Sequence, residues 1–266
     1  MDNALDIAVL VTTMYQKDFE LIKEMNIQCQ SIVANQDDKQ SFDSWYINGF
    51  LCQMVTTDTR GLSRNRNISI ALASSEYLLF SDDDLIFDDD YIKVIEEEFQ
   101  RYPDADAIKF GVQSMNPARP LSYKTPNVTK RATVRNVTSA GVIALVIRRK
   151  IIEQKNLFFH ENFGAGRDLY CGEDTIFLNQ LVRRGGVLYL SCRNIAKVKQ
   201  DGSSWFEGYN KKYFNTIGTV LGYLYPILSY LLALRSSYKF AKRKTDMNFF
   251  QIFRCYLDGI KKSKKL

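Results

Sequence analysis

Histidine occurs once in the 266 residues, at His160, and glycine-rich phosphate loops do not occur at all. Neither G-x-x-x-x-G-K-[ST] nor G-x-G-x-x-G follows the first apolar segment, which excludes a P-loop NTPase and a Rossmann dehydrogenase. No glycine stands where a calcium loop starting at Asp82 would need one. The five cysteines, Cys29, Cys52, Cys171, Cys192 and Cys255, are odd in number and contain no C-x-x-C pair. That argues against a disulfide framework and zinc ligation and fits a reducing compartment. The start, Met1-Asp2-Asn3-Ala4-Leu5-Asp6, lacks the basic then apolar regions of a signal peptide, so a cytoplasmic protein is expected. Asn127-Val128-Thr129 and Asn136-Val137-Thr138 are then chance sequon matches. Internal repeats and low-complexity segments are absent as well.

What is present is an ordinary globular composition, 45% hydrophobic and 25% charged, with enough chain for one sizeable core. Asp6 to Val11 reads as a buried strand ending in Thr12-Thr13, and Lys17 to Met25 as a helix. Gln28 to Ala34 and Cys52 to Thr56 read as further strands. Ser63 is placed to cap a helix from Arg64 to Ala73. Tyr77 to Phe80 is apolar on both faces and so reads as a covered strand. Tyr91 to Arg101 is a helix with Ile92, Ile95 and Phe99 inward, and the chain re-enters the sheet between Tyr102 and Phe110. Asn116 to Thr138, rich in Pro, Thr and Arg, reads as a loop beside a site. Gly141 to Ile147 is a strand, Arg148 to Lys155 a short helix, and Thr175 to Arg184 an amphipathic helix closed by Gly185-Gly186. Strand and helix in alternation predict an α/β fold with a mostly parallel, doubly wound sheet.

The strand Tyr77 to Phe80 delivers three adjacent carboxylates, Asp82-Asp83-Asp84, to its carboxyl tip, where open α/β sheets bind ligands. Adjacent carboxylates repel, so holding them ionised together points to a hard cation such as magnesium or manganese. The plainer reading is a solvated acidic turn, with Asp88-Asp89-Asp90 close behind. Thr12-Thr13 and Asn35-Gln36-Asp37 end their strands at the same edge. A helix start near Ser63, with Arg60, Arg64 and Arg66 beside it, favours an anion there. Cation, anion-binding helix start and arginines together suit the diphosphate of a nucleotide. Further on, Glu173-Asp174 precede Thr175, where acidic residues also stabilise a helix start through its dipole. His160 is read as a surface or hydrogen-bonded residue.

Gly61-Leu62-Ser63-Arg64-Asn65 with Ala71, then Glu76-Tyr77-Leu78-Leu79-Phe80-Ser81-Asp82-Asp83-Asp84, then Gly172-Glu173-Asp174-Thr175, resemble in order and spacing the bacterial family 2 glycosyltransferases. The resemblance spans roughly residues 5 to 205. Phe163-Gly164 and Ser203-Ser204 are similar to the family's polysaccharide-building members. What this implies is a GT-A fold, a nucleotide-sugar donor, usually a UDP-sugar, and Mn2+ or Mg2+. It implies a D-x-D motif in which Asp84 binds the metal, Asp82 reaches ribose or metal, and Asp83 belongs to the donor site. Thr12, Asn35 and Asp37 occupy the nucleoside positions, Arg64 lies where the family contacts donor, and Glu173-Asp174 match the E-D motif with Asp174 as base. A carboxylate accepting the proton of an attacking sugar hydroxyl fits these residue types, and inversion at the anomeric carbon follows. Two departures stand out. Asn35-Gln36 replaces the consecutive aspartates of many relatives, and Val198-Lys199-Gln200-Asp201 offers no histidine as a further metal ligand, leaving Asp201 as the substitute.

The tail changes character, giving an expected boundary between a catalytic domain at 1–208 and a helical, basic appendage at 209–266. Thr216 to Leu234 has no charged residue, yet glycines and tyrosines dilute it, and Ile217, Leu221, Leu224, Leu228 and Leu231 recur at helical spacing. A helix lying on a membrane surface, packing on the body, or spanning the bilayer are the three readings. The first fits a lipid-linked or saccharide acceptor at the cytoplasmic face of a bacterial inner membrane, in surface polysaccharide synthesis such as capsule or O-antigen. A sugar-nucleotide nucleotidyltransferase is the alternative enzyme, but Val11-Thr12-Thr13-Met14-Tyr15 lacks the basic glycine-rich loop it needs. Nucleic acid is not expected as a partner, because the carboxylate cluster repels phosphate.

Overall fold

The computed structural model describes residues 5–116, 121, 123–199, 208–242 and 245–266. The chain first forms β1 (Ile7–Met14), α1 (Glu20–Glu24), β2 (Gln30–Gln36), β3 (Ser41–Ile47), β4 (Phe50–Thr57) and α2 (Leu62–Leu72). There follow β5 (Tyr77–Asp82), β6 (Leu85–Phe87), α3 (Tyr91–Arg101), β7 (Ala107–Ser114), β8 (Lys130–Arg131), β9 (Leu145–Arg148), α4 (Arg149–Gln154), α5 (Glu173–Arg183) and β10 (Leu188–Val198). Three helices, α6 (Lys211–Leu224), α7 (Ser229–Ala241) and α8 (Phe249–Ser263), end the chain. The strands form one sheet in the order β3-β4-β2-β1-β5-β9-β7-β10-β6, with β8 beside β10.

β1 is apolar from Ile7 to Val11 and β5 from Tyr77 to Phe80 because both faces of the sheet are covered there. Ile7, Val9, Val11 and Leu79 join Leu21, Ile22, Val94, Ile95 and Phe99 on one side. Ala8, Leu10, Leu78 and Phe80 join Ile151, Phe177 and Leu178 on the other. The parallel block β4-β2-β1-β5 brings four carboxyl ends to one edge, with Thr12 beside Asp82 and Asn35 beside Thr56. This is the doubly wound α/β arrangement expected from the alternation of elements.

Several local expectations are corrected. The edge hairpin β3–β4 went unread, although Asn48-Gly49 at its tip takes left-handed φ values of 52° and 84°, the pair that a tight two-residue hairpin turn selects. The strand expected over Gly141 to Ile147 is shorter and antiparallel to both neighbours, entered through Ala144 at φ 58°. An apolar run carries no record of strand direction. Ser63 does not cap α2. Gly61 is the N-cap, and the Ser63 hydroxyl instead donates to the carbonyl of Phe163 at 2.6 Å. Of the loop expected over Asn116 to Thr138, residues 117–120 and 122 lie outside the described residues. Its end is buried at Val137, and the Thr138 carbonyl accepts a bond from Thr175 of α5.

The apolar stretch Thr216 to Leu234 is two helices rather than one, parted at Pro226, since proline cannot continue a helix. Among the described residues no helix is long and apolar enough to cross a membrane. Helix α6 lies against α8 at close range: a Cβ on Gly218 would stand 2.5 Å from the Tyr256 carbonyl oxygen, and one on Gly259 2.1 Å from that of Asn215. On its other side α6 reaches the sheet domain, with Val220 and Leu224 packed on Phe163, Leu169 and Ile176. Gly259→Ala is therefore expected to push α8 off α6 and lower stability by about 1–3 kcal/mol, read as a shift of the denaturant midpoint.

Candidate active site

β1 and β5 run parallel and in register, so the β-branched hydroxyls at the end of one reach the acids at the end of the other. Thr12 Oγ1 donates to Asp82 Oδ1 at 2.9 Å, and Thr13 Oγ1 to Asp83 Oδ2 at 2.5 Å. Arg66 of α2 completes the group. Its Nη2 donates to Asp82 Oδ1 at 3.0 Å and its Nη1 to Asp174 Oδ1 at 2.6 Å, with Glu173 Oε1 at 3.9 Å. The other Asp174 oxygen accepts from the Val142 amide at 3.1 Å. Arg66 is 3% exposed, and its guanidinium stands 5.2 Å from the centre of the Phe159 ring. Burial alone would lower its pKa, but the charges of Asp174, Asp82 and Glu173 outweigh that and raise it.

A helix with so polar a buried face is held by specific bonds. Ser63, Asn65, Arg66 and Ser69 are the buried residues of α2, and Asn65 Nδ2 donates to the Ala34 carbonyl at 2.9 Å. Asn67 exchanges two bonds with the backbone of Phe159, both 2.9 Å. α5 is aimed by Gly172, at φ 108°, where a Cβ would fall 2.3 Å from Val220; only glycine combines that dihedral with that approach. Glu173 and Asp174 thus enter the site from the first turn of α5. Asp174 is bonded across the chain to Arg66 and Val142 rather than serving only its own helix dipole. Burial, with the Asp174 charge added, pushes the Glu173 carboxyl up to about 8. Glu173 therefore holds its proton at neutral pH.

The outer end of the edge is built differently. Asn35 is fully buried and committed: Nδ2 donates to the Gln16 carbonyl and to Thr56 Oγ1, and Oδ1 accepts from the Gln16 amide. It fixes the turn that raises Tyr15, at φ 60° and 54% exposed, from the tip of β1. The Arg60 guanidinium stands 5.6 Å from the Tyr15 ring centre and donates to the Asp37 carbonyl at 2.8 Å. A planar aromatic face, an arginine and the carboxyl end of β2 stand together here.

Residues 36–154 match the family described as glycosyl transferase family 2. That segment, somewhat under half of the chain, is similar to the family 2 glycosyltransferases. The matched segment contains Asp37, Arg64, Arg66 and Asp82-Asp83-Asp84, and Glu173-Asp174 lie beyond it. Among solved structures the chain is similar to Staphylococcus aureus TarS 1-349 in complex with UDP-GlcNAc, at TM-score 0.61 and 14% identity over 96% of this chain and 72% of that one. The same TarS segment in complex with UDP gives TM-score 0.58 and 12% identity, over 98% and 72%. A longer TarS chain gives 0.60 and 14%, over 89% of this chain and 44% of its own. At these identities the likeness is one of fold. No curated protein matches the sequence.

Of the expected site residues, Thr12, Asp82 and Asp174 meet in one hydrogen-bonded group around Arg66, with Glu173 3.9 Å from the guanidinium, while Asp83 is bonded separately to Thr13. Asp84 is in the turn between β5 and β6, its carbonyl accepting from the Lys199 amide at 3.0 Å. The metal ligand considered at Asp201, with Ser203-Ser204, lies outside the described residues. Arg64 turns elsewhere: its Nε donates to Glu161 at 2.9 Å, and both line a cavity of about 650 Å³ with Thr56, Thr57 and Thr59. The anion-binding helix start is partly occupied, because the Gly61 amide donates to Gln36 Oε1 and the Leu62 amide to the Ala165 carbonyl. All three arginines expected around a diphosphate have acidic partners, Arg60 through Asp38. His160 sits edge-on to Phe163 and Tyr223, and its Nδ1 accepts from the Asn162 amide at 3.4 Å.

Tyr15 is the functional candidate that sequence reasoning missed, and Arg66, expected beside a diphosphate, is instead the partner of Asp82 and Asp174. A polar trio, Asn65-Arg66-Asn67, inside a helix with no apolar stripe was the available signal for Arg66. Lys109 of β7 is a further buried group behind the site. Its Nζ donates to the Phe110 carbonyl at 2.5 Å and lies 4.8 Å from the Tyr123 ring centre. Burial lowers its pKa from 10.5 to about 7, against the pull of Asp174.

Removing the cation from three acids at once is costly, so Arg66→Met is expected to lower stability by about 3–5 kcal/mol in denaturant unfolding. Lys109 generates a pH prediction. Between about 7 and 10.5 the unfolded chain holds a proton on this lysine that the folded chain has released, so stability rises with pH across that window. Lys109→Met should flatten the rise, by up to about 1.4 kcal/mol per pH unit.

Proposed function

We propose that this glycosyltransferase moves a sugar from a UDP-sugar to a hydroxyl of a saccharide or lipid-linked acceptor in surface polysaccharide synthesis, with inversion at the anomeric carbon. The observation that carries the reading is Arg66, which ties Asp82 on the donor edge to Asp174 at the start of α5. UDP-GlcNAc and UDP in the TarS structures support the choice of nucleotide. The Tyr15 face stacks the base, with Asp37 and Arg60 beside it and Asn35 holding the turn from beneath. The diphosphate meets the Asp82-Asp83-Asp84 turn.

No group of three or more His, Cys, Asp or Glu among the described residues is arranged to hold a metal by itself. A turn of adjacent carboxylates fits an ion that draws the rest of its oxygen shell from substrate phosphates and water, as magnesium does in nucleotide sites. Asp84 and Asp82 would hold Mn2+ or Mg2+ there, and when bound it neutralises charge on the departing diphosphate. Asp174 takes the proton of the acceptor hydroxyl as its oxygen bonds to the anomeric carbon. The bond from that carbon to the phosphate oxygen breaks, and its electron pair leaves with UDP. Glu173, carrying its own proton, adds no second charge beside the base. Arg66 keeps Asp174 oriented and offsets the repulsion of Asp82. Acceptors built on lipid carriers place the enzyme peripherally at the cytoplasmic face of the membrane.

Calorimetric titration of UDP with manganese is the test, paired with single-turnover transfer from a UDP-sugar. Asp84→Ala should abolish metal-dependent UDP binding. Asp174→Asn should bind UDP as the wild type does while transfer falls by about 10²–10⁴. Full transfer by Asp174→Asn would sink the base assignment, and UDP binding that ignores both metal and Asp84 would sink the donor site.

A further inference from the structure

Helix α7 is built with its apolar side outward. Ser229, Ala233 and Ser237, spaced at four residues, are fully buried against the helical tail, and Ser236 bonds to the Tyr256 hydroxyl at 2.8 Å. The opposite face carries Leu231, Leu234 and Tyr238, continuing a row begun by Ile227 in the preceding turn. These four are 62%, 44%, 60% and 92% exposed respectively. A helix needed only to cover the body would bury leucine and expose serine. Beside the apolar row runs a basic one, Arg235, Lys239 and Lys242, all exposed and spaced four and three residues apart. Lys242 Nζ donates to the Tyr238 hydroxyl at 2.6 Å, so the two rows adjoin.

Charge is concentrated in the same region. Residues 209–266 hold twelve Lys and Arg against two Asp, a net +10, which leaves −4 for the remainder of a chain of charge +6. An apolar row flanked by lysine and arginine is the pattern of a helix lying in the plane of a membrane interface. Anionic headgroups complement the basic row. A second copy docking through the same face about a two-fold axis would set that row against itself.

We propose that the outward face of α7 is the docking surface for an anionic lipid bilayer, with Ile227, Leu231, Leu234 and Tyr238 entering the headgroup boundary and Arg235, Lys239 and Lys242 pairing with lipid phosphates. This deepens the membrane placement proposed above, and its readout does not involve transfer, so its failure leaves the chemistry of the site standing.

The test is cosedimentation of the full chain with vesicles of phosphatidylglycerol and phosphatidylcholine, and with vesicles of phosphatidylcholine alone. Binding is expected to the anionic vesicles and to weaken with salt. The double variant Leu231→Ser/Leu234→Ser should lower the partition coefficient by at least about tenfold. Arg235→Glu/Lys239→Glu should lower it by a similar factor on anionic vesicles. Both pairs are exposed, and unchanged thermal unfolding checks that the fold is kept. Equal binding by the variants, or no wild-type binding to anionic vesicles, overturns the proposal. So does self-association in sedimentation velocity that disappears in the leucine variant while vesicles are ignored.

Discussion

One buried arginine holds the catalytic side of this molecule together. Arg66 lies between Asp82, Glu173 and Asp174, acids contributed by a strand end and a helix start far apart in sequence. Acids held in so small a space repel one another when ionised, and in a partly buried setting that repulsion is poorly screened. The guanidinium answers it with two directed hydrogen bonds, each to a different acid. A lysine offers a point charge and no such fork. The polar character of α2 follows from this need: a helix that must deliver a buried cation has to satisfy its other buried groups as well, and Ser63, Asn65 and Asn67 each bond to backbone across the fold. The local cost of burying polar residues is offset by fixing where two elements meet.

The asymmetry between Glu173 and Asp174 comes from the same crowding. They are neighbours in sequence and share a helical turn, yet one oxygen of Glu173 is buried without a hydrogen bond, while each oxygen of Asp174 accepts one. Burial and the adjacent charge keep a proton on the first, while the second is held by Arg66 and the Val142 amide. Behind them α6 fixes the turn at Gly172 through Val220, so the helical tail is mechanically part of the site even though it offers no group to it.

The parallel centre of the sheet, Tyr91 to Arg101 as a helix and the close of α5 at Gly185-Gly186 were all readable, because each rests on local pattern. The closing glycines make the expected pair of bonds, from Gly186 to Leu181 and from Gly185 to Val182. The hairpin at Asn48-Gly49 was equally local and was passed over. Other features were not local. Ser63 looks like a cap in sequence, yet Phe163, 100 positions away, claims its hydroxyl. Arg64 looks like a donor contact, yet Glu161 claims its guanidinium. A side chain with two available partners chooses by distance, and distance across the fold is not written in the neighbouring residues.

By itself the sequence determined which segments are buried strands, that their acids gather at strand ends, and that the tail is basic and dilutely apolar. These follow from composition and periodicity, which act within a few residues. Only the tertiary structure decided strand direction around β9, the joining of Asp82 to Asp174 through Arg66, and the outward turn of the leucines on α7. Each of those depends on which surfaces meet. The same helix can bury either its serine or its leucine face, and the choice is made by the helices it packs against, where Tyr256 bonds Ser236 and Ala233 joins Phe214 and Ile252, not by its own pattern.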